Sequence, residues 1–409
     1  MEKQFSRRDF LGNTAKIAIG LVAPTWLSAI AKADVLRASA GRKLDPDAIL
    51  VVLQLSGGND GLNTVVPYAD SRYHQLRPTL GFTEDSALVL AEGLGLHPEM
   101  GSLKTLYKEG KVAIINGVGY PRPNRSHFKS MEIWQSASPD TSLKHGWLGR
   151  HLDVLDKRSH LNPVFALGLS TDKPRALQAD DYSVPCFASL ADIQNMVGDP
   201  DAERMLRMIQ GEGGSEGEAV VRAANRSALD AMVLLRDKLK GFAPKQSYPD
   251  NAFGNGFKQI SQIIAASAQT RVLYFSAGGF DTHARQADQH GRLMKGFSDA
   301  VLAFQREMEE LGKADKVVVL VFSEFGRRSY ENASGGTDHG AAGPMFLIGK
   351  QVKGGLYGPK PDLSKLVDGD VPFGVDFRQV YATALDQWMG GESERVLGAK
   401  FAPLEVLRA

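Results

Sequence analysis

The sequence contains one cysteine, Cys186, among 409 residues. A single cysteine excludes an intrachain disulfide and any metal cluster built from several thiolates. The chain also lacks a strong net charge: 48 basic residues against 47 acidic ones give no bulk attraction for nucleic acid, and we expect no nucleic-acid partner. Signatures of an α/β-hydrolase nucleophile elbow, a His-Glu-x-x-His zinc helix, a P-loop and a dinucleotide-binding loop are missing. These absences argue against several common enzyme classes.

Long hydrophobic runs are missing as well. A mild apolar stretch, Ile17–Ile30, is short for a membrane span of roughly 20 residues and is interrupted by Pro24. It follows the pair Arg7-Arg8 and precedes Ala31-Lys32-Ala33, which has the small-x-small pattern of a cleavage site. Together these parts predict a twin-arginine export signal over residues 1–33 and no integral membrane span in the mature chain. The alternative is an amphipathic helix or a membrane anchor.

A twin-arginine signal predicts where the protein works. It implies passage through the twin-arginine translocation machinery to the periplasm or the cell surface. That route carries proteins already folded, often with metal in place. Export therefore favours a bound cofactor without identifying one.

Strands and helices alternate along the rest of the chain. Continuous hydrophobic runs predict buried strands, and amphipathic stretches between them predict helices. The alternation favours an α/β fold with a doubly wound, mostly parallel sheet flanked by helices, in one domain over residues 44–409. Polar-faced helices around an acidic glycine-rich stretch predict a helical insertion over about 191–267. The predicted strands are residues 49–55, 112–116, 163–169, 184–189, 271–276, 317–322 and 344–348. The predicted helices are 97–109, 124–137, a short one that begins at 146, a long one that ends at 311, and 376–389.

Acidic residues and histidines collect at the ends of three predicted strands, those at 49–55, 271–276 and 317–322. In an open α/β sheet, ligands bind outside the carboxyl ends of the parallel strands, so these side chains are expected to converge on one edge. Carboxylates with imidazoles suit zinc or manganese best, with calcium or magnesium possible. The alternative is that each carboxylate caps a helix or completes a turn. The candidate ligands are Asp60, Asp281, His283, Glu324, Asp338 and His339.

A further candidate lies after the predicted strand 112–116. Asn124 is suited to cap a helix that begins there, which would put Ser126 and His127 in its first turn. Free backbone N–H groups and the helix dipole favour anions at that position, so it suits a nucleophilic hydroxyl. His127 is either a donor behind the site or an ordinary first-turn residue. Arg122, Arg125 and Arg327 are candidates to stabilise a transferred group, with surface ion pairs as the alternative.

The combination of motifs resembles a known family, the domain-of-unknown-function family DUF1501, which is similar to the alkaline phosphatase and sulfatase superfamily. The resemblance covers nearly the whole mature chain. It implies a nucleophilic hydroxyl beside one or two metal ions, attacking a phosphate or sulfate ester. The motifs are Gly57-Gly-Asn-Asp60-Gly, Asn124-Arg-Ser126-His127, Gly279-Phe-Asp281-Thr-His283, Ser323-Glu324-Phe-Gly-Arg327 and Gly336-Thr-Asp338-His339-Gly.

Position by position, the resemblance assigns roles. Asp60 matches the first-strand metal carboxylate and Ser126 the nucleophile. Asp281 and His283 match a later ligand pair, although the superfamily commonly separates that pair by three residues and here only Thr282 intervenes.

His290 lies seven residues beyond His283, where it would share a helical face with it, and is therefore an alternative partner for Asp281. Glu324 stands where many superfamily members have adjacent Asp and His, and Phe325 cannot bind a metal. His339 matches the last histidine ligand. The resemblance therefore leaves open whether one or two metal ions are bound.

The absence of a formylglycine sequence indicates which type of ester the protein would hydrolyse. Sulfatases usually convert Cys or Ser in a Cys/Ser-x-Pro-x-Arg sequence to formylglycine, and this chain has no such sequence. An unmodified Ser126 favours a phosphate ester. The expected function is an exported, metal-dependent hydrolase of a small-molecule or polysaccharide ester. The alternative is a catalytically silent member that binds a polysaccharide or protein partner at the cell surface.

Overall fold

A computed structural model describes residues 45–91, 93–159, 161–191, 242–266 and 269–408, together with Ala231, Leu235 and Leu239, which are helical and buried. The predicted export signal and most of the predicted insertion lie outside these residues. None of the helices within them is long and apolar enough to cross a membrane.

The fold is built on a nine-stranded sheet in the order β11-β5-β10-β9-β1-β8-β6-β7, with β12 paired to β5. Every pairing in it is parallel except those of β10, which is antiparallel to β5 and β9. Three further strands, β2, β4 and β3, form a small antiparallel sheet. The strands are β1 Ile49–Leu55, β2 Val65–Val66, β3 Leu88–Ala91, β4 Leu94–Leu96, β5 Val112–Gly119, β6 Ala166–Leu169, β7 Cys186–Phe187, β8 Val272–Ala277, β9 Val317–Ser323, β10 Gly343–Ile348, β11 Gly355–Tyr357 and β12 Val375–Asp376.

Helices cover both faces of this sheet. Strand side chains alternate between the faces: Val51 and Leu53 of β1 belong to one hydrophobic core, and Leu50 and Val52 to the other. Helices α3, α6 and α7 supply the first core, and α4, α5, α8 and α9 the second. The helices are α1 Gly61–Thr64, α2 Ser71–Leu76, α3 Gly101–Lys108, α4 His127–Ser136, α5 Trp147–Ser159, α6 Ala252–Ala266, α7 Gln286–Glu310, α8 Phe377–Gln387 and α9 Ser393–Leu397.

The predicted fold class is confirmed: a mostly parallel sheet with helices on both faces. Each predicted strand is present, β1 with the predicted ends and the others with shifted ends; β5, for example, continues to Gly119 rather than stopping at 116. Helix α3 begins at Gly101, four residues later than predicted, because Pro98 and the residues beside it form a turn. Helix α6, at the end of the predicted insertion, packs against α7 within the main core.

The register of three strands fixes one edge of the sheet. Leu55 at the end of β1 pairs with Ala277 of β8 on one side and with Ser323 of β9 on the other. The loops that follow these strands therefore start side by side. Strand β10 returns antiparallel because the segment 324–342 that leads to it contains no crossover helix. That segment instead remains at the carboxyl edge.

Candidate metal centre

The carboxyl edge of the sheet brings together side chains from three separate segments. They come from the first residue of α4, the loop between β8 and α7, and the segment 324–342 that leads from β9 to β10. The side chains that meet here are His127, Asp281, His283, Glu324, Arg327, Asp338 and His339.

The Oδ1 atom of Asp281 is the point on which the cluster converges. It lies 3.0 Å from His283 Nε2 and 3.0 Å from His339 Nε2. His127 Nε2 lies 3.4 Å from the same oxygen. The Nε2 atoms of His283 and His339 are 2.9 Å apart. Three imidazoles therefore turn the same ring nitrogen toward one carboxylate oxygen.

Each of these imidazoles is held through its other ring nitrogen. All three partners of the Nδ1 atoms are carboxylate or carbonyl oxygens, which accept hydrogen bonds, so each Nδ1 carries a hydrogen. Metal-binding histidines are commonly oriented in this way by an acceptor behind the ring. The pairs are His127 with Glu324 Oε1 at 3.0 Å, His283 with Asp338 Oδ1 at 3.0 Å, and His339 with the Arg125 carbonyl oxygen at 2.8 Å.

This orientation concentrates electron pairs at the centre of the cluster. A neutral imidazole with its hydrogen on Nδ1 presents an unprotonated Nε2, and such atoms repel each other and the carboxylate unless a cation lies among them. The hydrogen bond with Glu324 raises the pKa of His127. Burial opposes ionisation of Asp281, but Arg327 and His339 hold the pKa of that carboxyl below its usual value. Burial lowers the pKa of His339.

The spacing of these atoms fits a small metal ion. Zinc binds histidine nitrogen at about 2.0–2.1 Å, so adjacent ligand atoms of a tetrahedral site are roughly 3.3 Å apart. The distances from Asp281 Oδ1 to the three imidazoles and the distance between His283 and His339 Nε2, 2.9 to 3.4 Å, are close to that value. The ligand atoms of His127, Asp281 and His339 all lie within 4.8 Å of one another. His127 Nε2 is buried and has no hydrogen-bond partner among the described residues, which suits an atom that binds an ion.

Glu324 and Asp338 stand behind the histidines rather than among their Nε2 atoms. Glu324 is fully buried, and its Oε1 accepts from the Gly57 N–H at 2.8 Å as well as from His127. Asp338 Oδ1 accepts from Asn332 Nδ2 at 3.2 Å in addition to His283. Both carboxylates were predicted as ligands. In the structure they orient the imidazoles.

Arg327 binds the surrounding loops to one another. Its guanidinium is completely buried and donates to five oxygens. The sequence suggested that Arg327 would stabilise a transferred group, but its donors are taken up within the protein. The acceptors are the carbonyl oxygens of Gly58 at 2.7 Å, Thr337 at 2.9 Å, Phe280 at 2.8 Å and Gly57, and Asp281 Oδ1 at 2.7 Å.

Two glycines permit this close approach of the loops. Gly57 has a φ of +118°, and a Cβ on it would lie 2.5 Å from the Asp281 nitrogen. A Cβ on Gly336 would lie 2.3 Å from the His283 carbonyl carbon. Side chains at either position would push apart the segments that carry the histidines.

Asp60 does not join the cluster, contrary to the prediction. Its carboxylate is completely buried and forms an ion pair of 2.6 Å with Arg77, which is also completely buried. Gln286 donates to the same oxygen, and the Asn63 N–H donates to the other at 3.4 Å. Burial opposes its ionisation, but Arg77 holds the pKa of Asp60 below its usual value. Asp60 also caps the short helix α1.

His290 is likewise placed away from His283. The two do not share a helical face, because His283 precedes α7 whereas His290 lies inside it. His290 Nε2 is 3.1 Å from Asn59 Oδ1, and its ring packs edge-on against His97. Burial lowers the pKa of His290 to about 4. The predicted alternative pairing with Asp281 is not present.

The segment before α4 also differs from the prediction. Ser126, rather than Asn124, is the N-cap residue, and its side chain makes no capping hydrogen bond. Asn124 Oδ1 instead accepts from the Ser126 N–H at 2.9 Å. Ser126 is exposed, and its neighbours on both sides reach the cluster: Arg125 through its carbonyl oxygen and His127 through its ring. Ser126 is therefore a residue at the rim of the cluster.

The arginine candidates near this segment have other contacts. The Arg125 guanidinium pairs with Asp370, with Nε 3.0 Å from Oδ2. Arg122 is exposed and has a φ of +55°. Arg125 forms an ion pair, as considered from the sequence, but its partner is a buried carboxylate rather than a surface one. His127, by contrast, is part of the cluster itself, whereas the sequence left it either as a donor behind the site or as an ordinary first-turn residue.

Comparison with known proteins gives a family and several distant structures. The family described as "Protein of unknown function (DUF1501)" matches residues 84–400. No curated protein matches the sequence. The PsFucS1 sulfatase from Pseudoalteromonas sp. is 12% identical over 93% of this chain and 74% of that one, with a TM-score of 0.35.

Two further solved structures are similar at the same level. The alkaline phosphatase from the Antarctic bacterium TAB5 is 11% identical over 75% of this chain and 92% of that one, with a TM-score of 0.33. The C-terminal periplasmic domain of EcEptC from Escherichia coli, in complex with Zn, is 10% identical over 76% and 75%, with a TM-score of 0.36. Similarity of this size concerns the fold and carries no argument about activity.

Proposed function

We propose that this chain, which belongs to the DUF1501 family of proteins of unknown function, is a metal-dependent hydrolase of phosphate or sulfate esters. One observation carries the proposal. The Nε2 atoms of three histidines face a single oxygen of Asp281 while each Nδ1 is held by an oxygen acceptor, an arrangement that suits a bound cation.

The residues suited to hold the ion are His127, Asp281 and His339, with His283 beside them. Imidazole with carboxylate favours zinc or manganese, and the close spacing favours zinc; calcium and magnesium prefer more oxygen ligands. When bound, such an ion neutralises ester charge and lowers the pKa of a coordinated hydroxyl. Because Arg77 already neutralises Asp60, we propose one ion rather than two.

Ser126 is the proposed nucleophile. Its exposed hydroxyl lies at the start of the ten-residue helix α4, where backbone N–H groups and the helix dipole attract an anionic ester. The Ser126 oxygen attacks phosphorus or sulfur and its proton passes to solvent; the bond to the substrate's alcohol oxygen breaks, and that oxygen leaves as an alcohol after taking a proton from solvent. Water then hydrolyses the serine ester and restores the hydroxyl.

The substrate is proposed from the chemistry of the nucleophile. Since the chain has no Cys/Ser-x-Pro-x-Arg sequence, Ser126 remains unmodified, which favours a phosphate ester over formylglycine-dependent sulfate hydrolysis. The alcohol part is a small molecule or a polysaccharide. A screen of phospho- and sulfo-esters identifies this alcohol part.

The proposed function is tested by metal analysis combined with a substrate screen. We expect the purified protein to retain about one divalent ion per chain through dialysis. It should hydrolyse at least one member of a panel of phospho- and sulfo-esters when supplied with zinc or manganese, and a chelator should remove the activity reversibly. A folded protein that takes up no metal would instead support the silent, binding-only alternative.

The export route is proposed separately, from residues outside the described structure. We expect replacement of Arg7 and Arg8 by lysine to leave the precursor in the cytoplasm, because the twin-arginine pair is the part of the signal that the translocation machinery reads. Cell fractionation measures the distribution. The matched control replaces Arg37 and Arg42, which follow the proposed cleavage site, and should be exported normally. Undiminished export of the Arg7/Arg8 variant would contradict the proposal.

A further inference from the structure

A buried polar network lies beneath the metal cluster. Its base is the ion pair between Asp60 and Arg77. Arg77 also donates to Asn63 Oδ1 at 2.8 Å and to the carbonyl oxygens of Ser329 at 3.0 Å and Arg328 at 2.8 Å. A guanidinium with this many partners is fixed in place, and it fixes the Asp60 carboxylate in turn.

Gln286 connects that base to the cluster. It is the first residue of α7 and is completely buried. Its Nε2 donates to Asp60 Oδ2. Its Oε1 accepts from two hydroxyls, Thr282 Oγ1 at 3.0 Å and Thr337 Oγ1 at 2.6 Å. One amide thus binds two loops and the buried carboxylate at the same time.

The two threonines are placed next to the proposed ligands. Thr282 stands between Asp281 and His283, and Thr337 comes two residues before His339. The backbones of the two loops also meet directly, since the Thr337 N–H donates to the Thr282 carbonyl oxygen at 3.2 Å. A change in the spacing of the threonines is therefore passed to the spacing of His283 and His339.

We infer that Gln286 is a positioning residue that sets the distance between the two ligand-bearing loops, with the Asp60–Arg77 pair as its anchor. The inference rests on the proposed metal-dependent function. Asp60 decides the orientation of the amide: a carboxylate accepts only, so the NH₂ group faces it and the oxygen faces Thr282 and Thr337. Both hydroxyls then donate to one oxygen, which draws the loops together.

The test compares Gln286→Met with Gln305→Met. Both substitutions remove a buried amide from α7 and keep the side-chain length, but Gln305 lies far along the helix from the cluster. Zinc affinity is measured by competition with a chromophoric chelator, and loop order by amide hydrogen exchange over residues 281–285 and 334–339. We expect Gln286→Met to weaken zinc binding about ten- to a hundredfold, as for other residues that orient ligands, and to speed exchange in both loops.

The control separates positioning from general loss of stability. Gln305→Met should leave zinc affinity and loop exchange at the wild-type level, whatever its effect on melting temperature. If Gln286→Met fails to fold, Thr337→Val is the second variant, since it keeps the bond between Gln286 and Asp60 while removing one hydroxyl. Thr337→Val should also weaken zinc binding.

The outcomes for this inference and for the proposed function are distinct. If the wild-type protein binds no zinc or other divalent ion, the proposed function fails, and loop exchange alone decides the role of Gln286. Wild-type zinc affinity and wild-type loop exchange in the folded Gln286→Met variant would overturn the inference while leaving the metal centre intact.

Discussion

Replacing Asp281 with asparagine is expected to abolish metal binding and activity together. Asn has the same shape, but it removes the negative charge from the oxygen that lies within 3.4 Å of three imidazole nitrogens. The affinity for zinc should fall by more than about a hundredfold, which exceeds the usual loss for residues that only orient ligands. Equilibrium dialysis with metal analysis measures the loss, and circular dichroism confirms that the variant remains folded.

Substitutions of two other aspartates serve as comparisons for the Asp281→Asn variant. Asp288→Asn changes an exposed residue in the first turn of α7 and should leave metal content unchanged. Asp338→Asn preserves an oxygen for His283 Nδ1 and should lower affinity less than Asp281→Asn does. Wild-type metal binding by Asp281→Asn would show that the cluster is not a metal centre.

Ser126→Ala is expected to reduce turnover by at least about a thousandfold, because the variant has no hydroxyl to form the serine ester. The same substitution should change the free energy of unfolding by no more than about 0.5 kcal/mol, since the side chain is exposed and makes no capping hydrogen bond. Metal content should remain that of the wild type. Steady-state kinetics on the best substrate from the screen, with thermal melts, checks all three expectations.

A matched serine controls for the loss of a hydroxyl at the start of a helix. Ser71 is exposed at the first position of α2, and Ser71→Ala should keep wild-type turnover. A serine ester trapped by rapid acid quench in the wild type, and absent from Ser126→Ala, would identify the intermediate. Retention of most of the activity by Ser126→Ala would mean that water or another residue is the nucleophile.

The parallel core and the edge that bears the cluster were accessible from the sequence. The run Val317–Phe322 has no polar residue, so it could only be a strand buried on both faces, and such strands are parallel neighbours in a covered sheet. From that alone, the residues that follow it were expected beside those that follow 49–55 and 271–276. The observed register bears this out, and Asp281, His283 and His339 lie together at that edge.

The partners of individual side chains were not accessible. Asp60 follows its strand just as Asp281 does, and nothing in its neighbourhood predicts that Arg77, the residue after the short helix α2, would pair with its carboxylate. His290 has the right spacing for a helical partner, but the helix begins only at Gln286. The partner of a buried carboxylate depends on which basic side chain lies nearest to it in the folded state. Hydrophobic periodicity in the sequence does not predict that contact.

The five hydrogen bonds donated by Arg327 affect which metal ion the proposed site would bind. Because Arg327 joins the loops through backbone oxygens and Asp281, their arrangement does not depend on the ion to hold it together. A rigid site with nitrogen and carboxylate ligands cannot change its geometry to exclude zinc or copper. Its affinities therefore follow the general order of divalent metals. The ion taken up by the proposed site would then be decided by cellular supply. Under the proposed export route, in which the chain folds before it is exported, that supply is the metal of the cytoplasm.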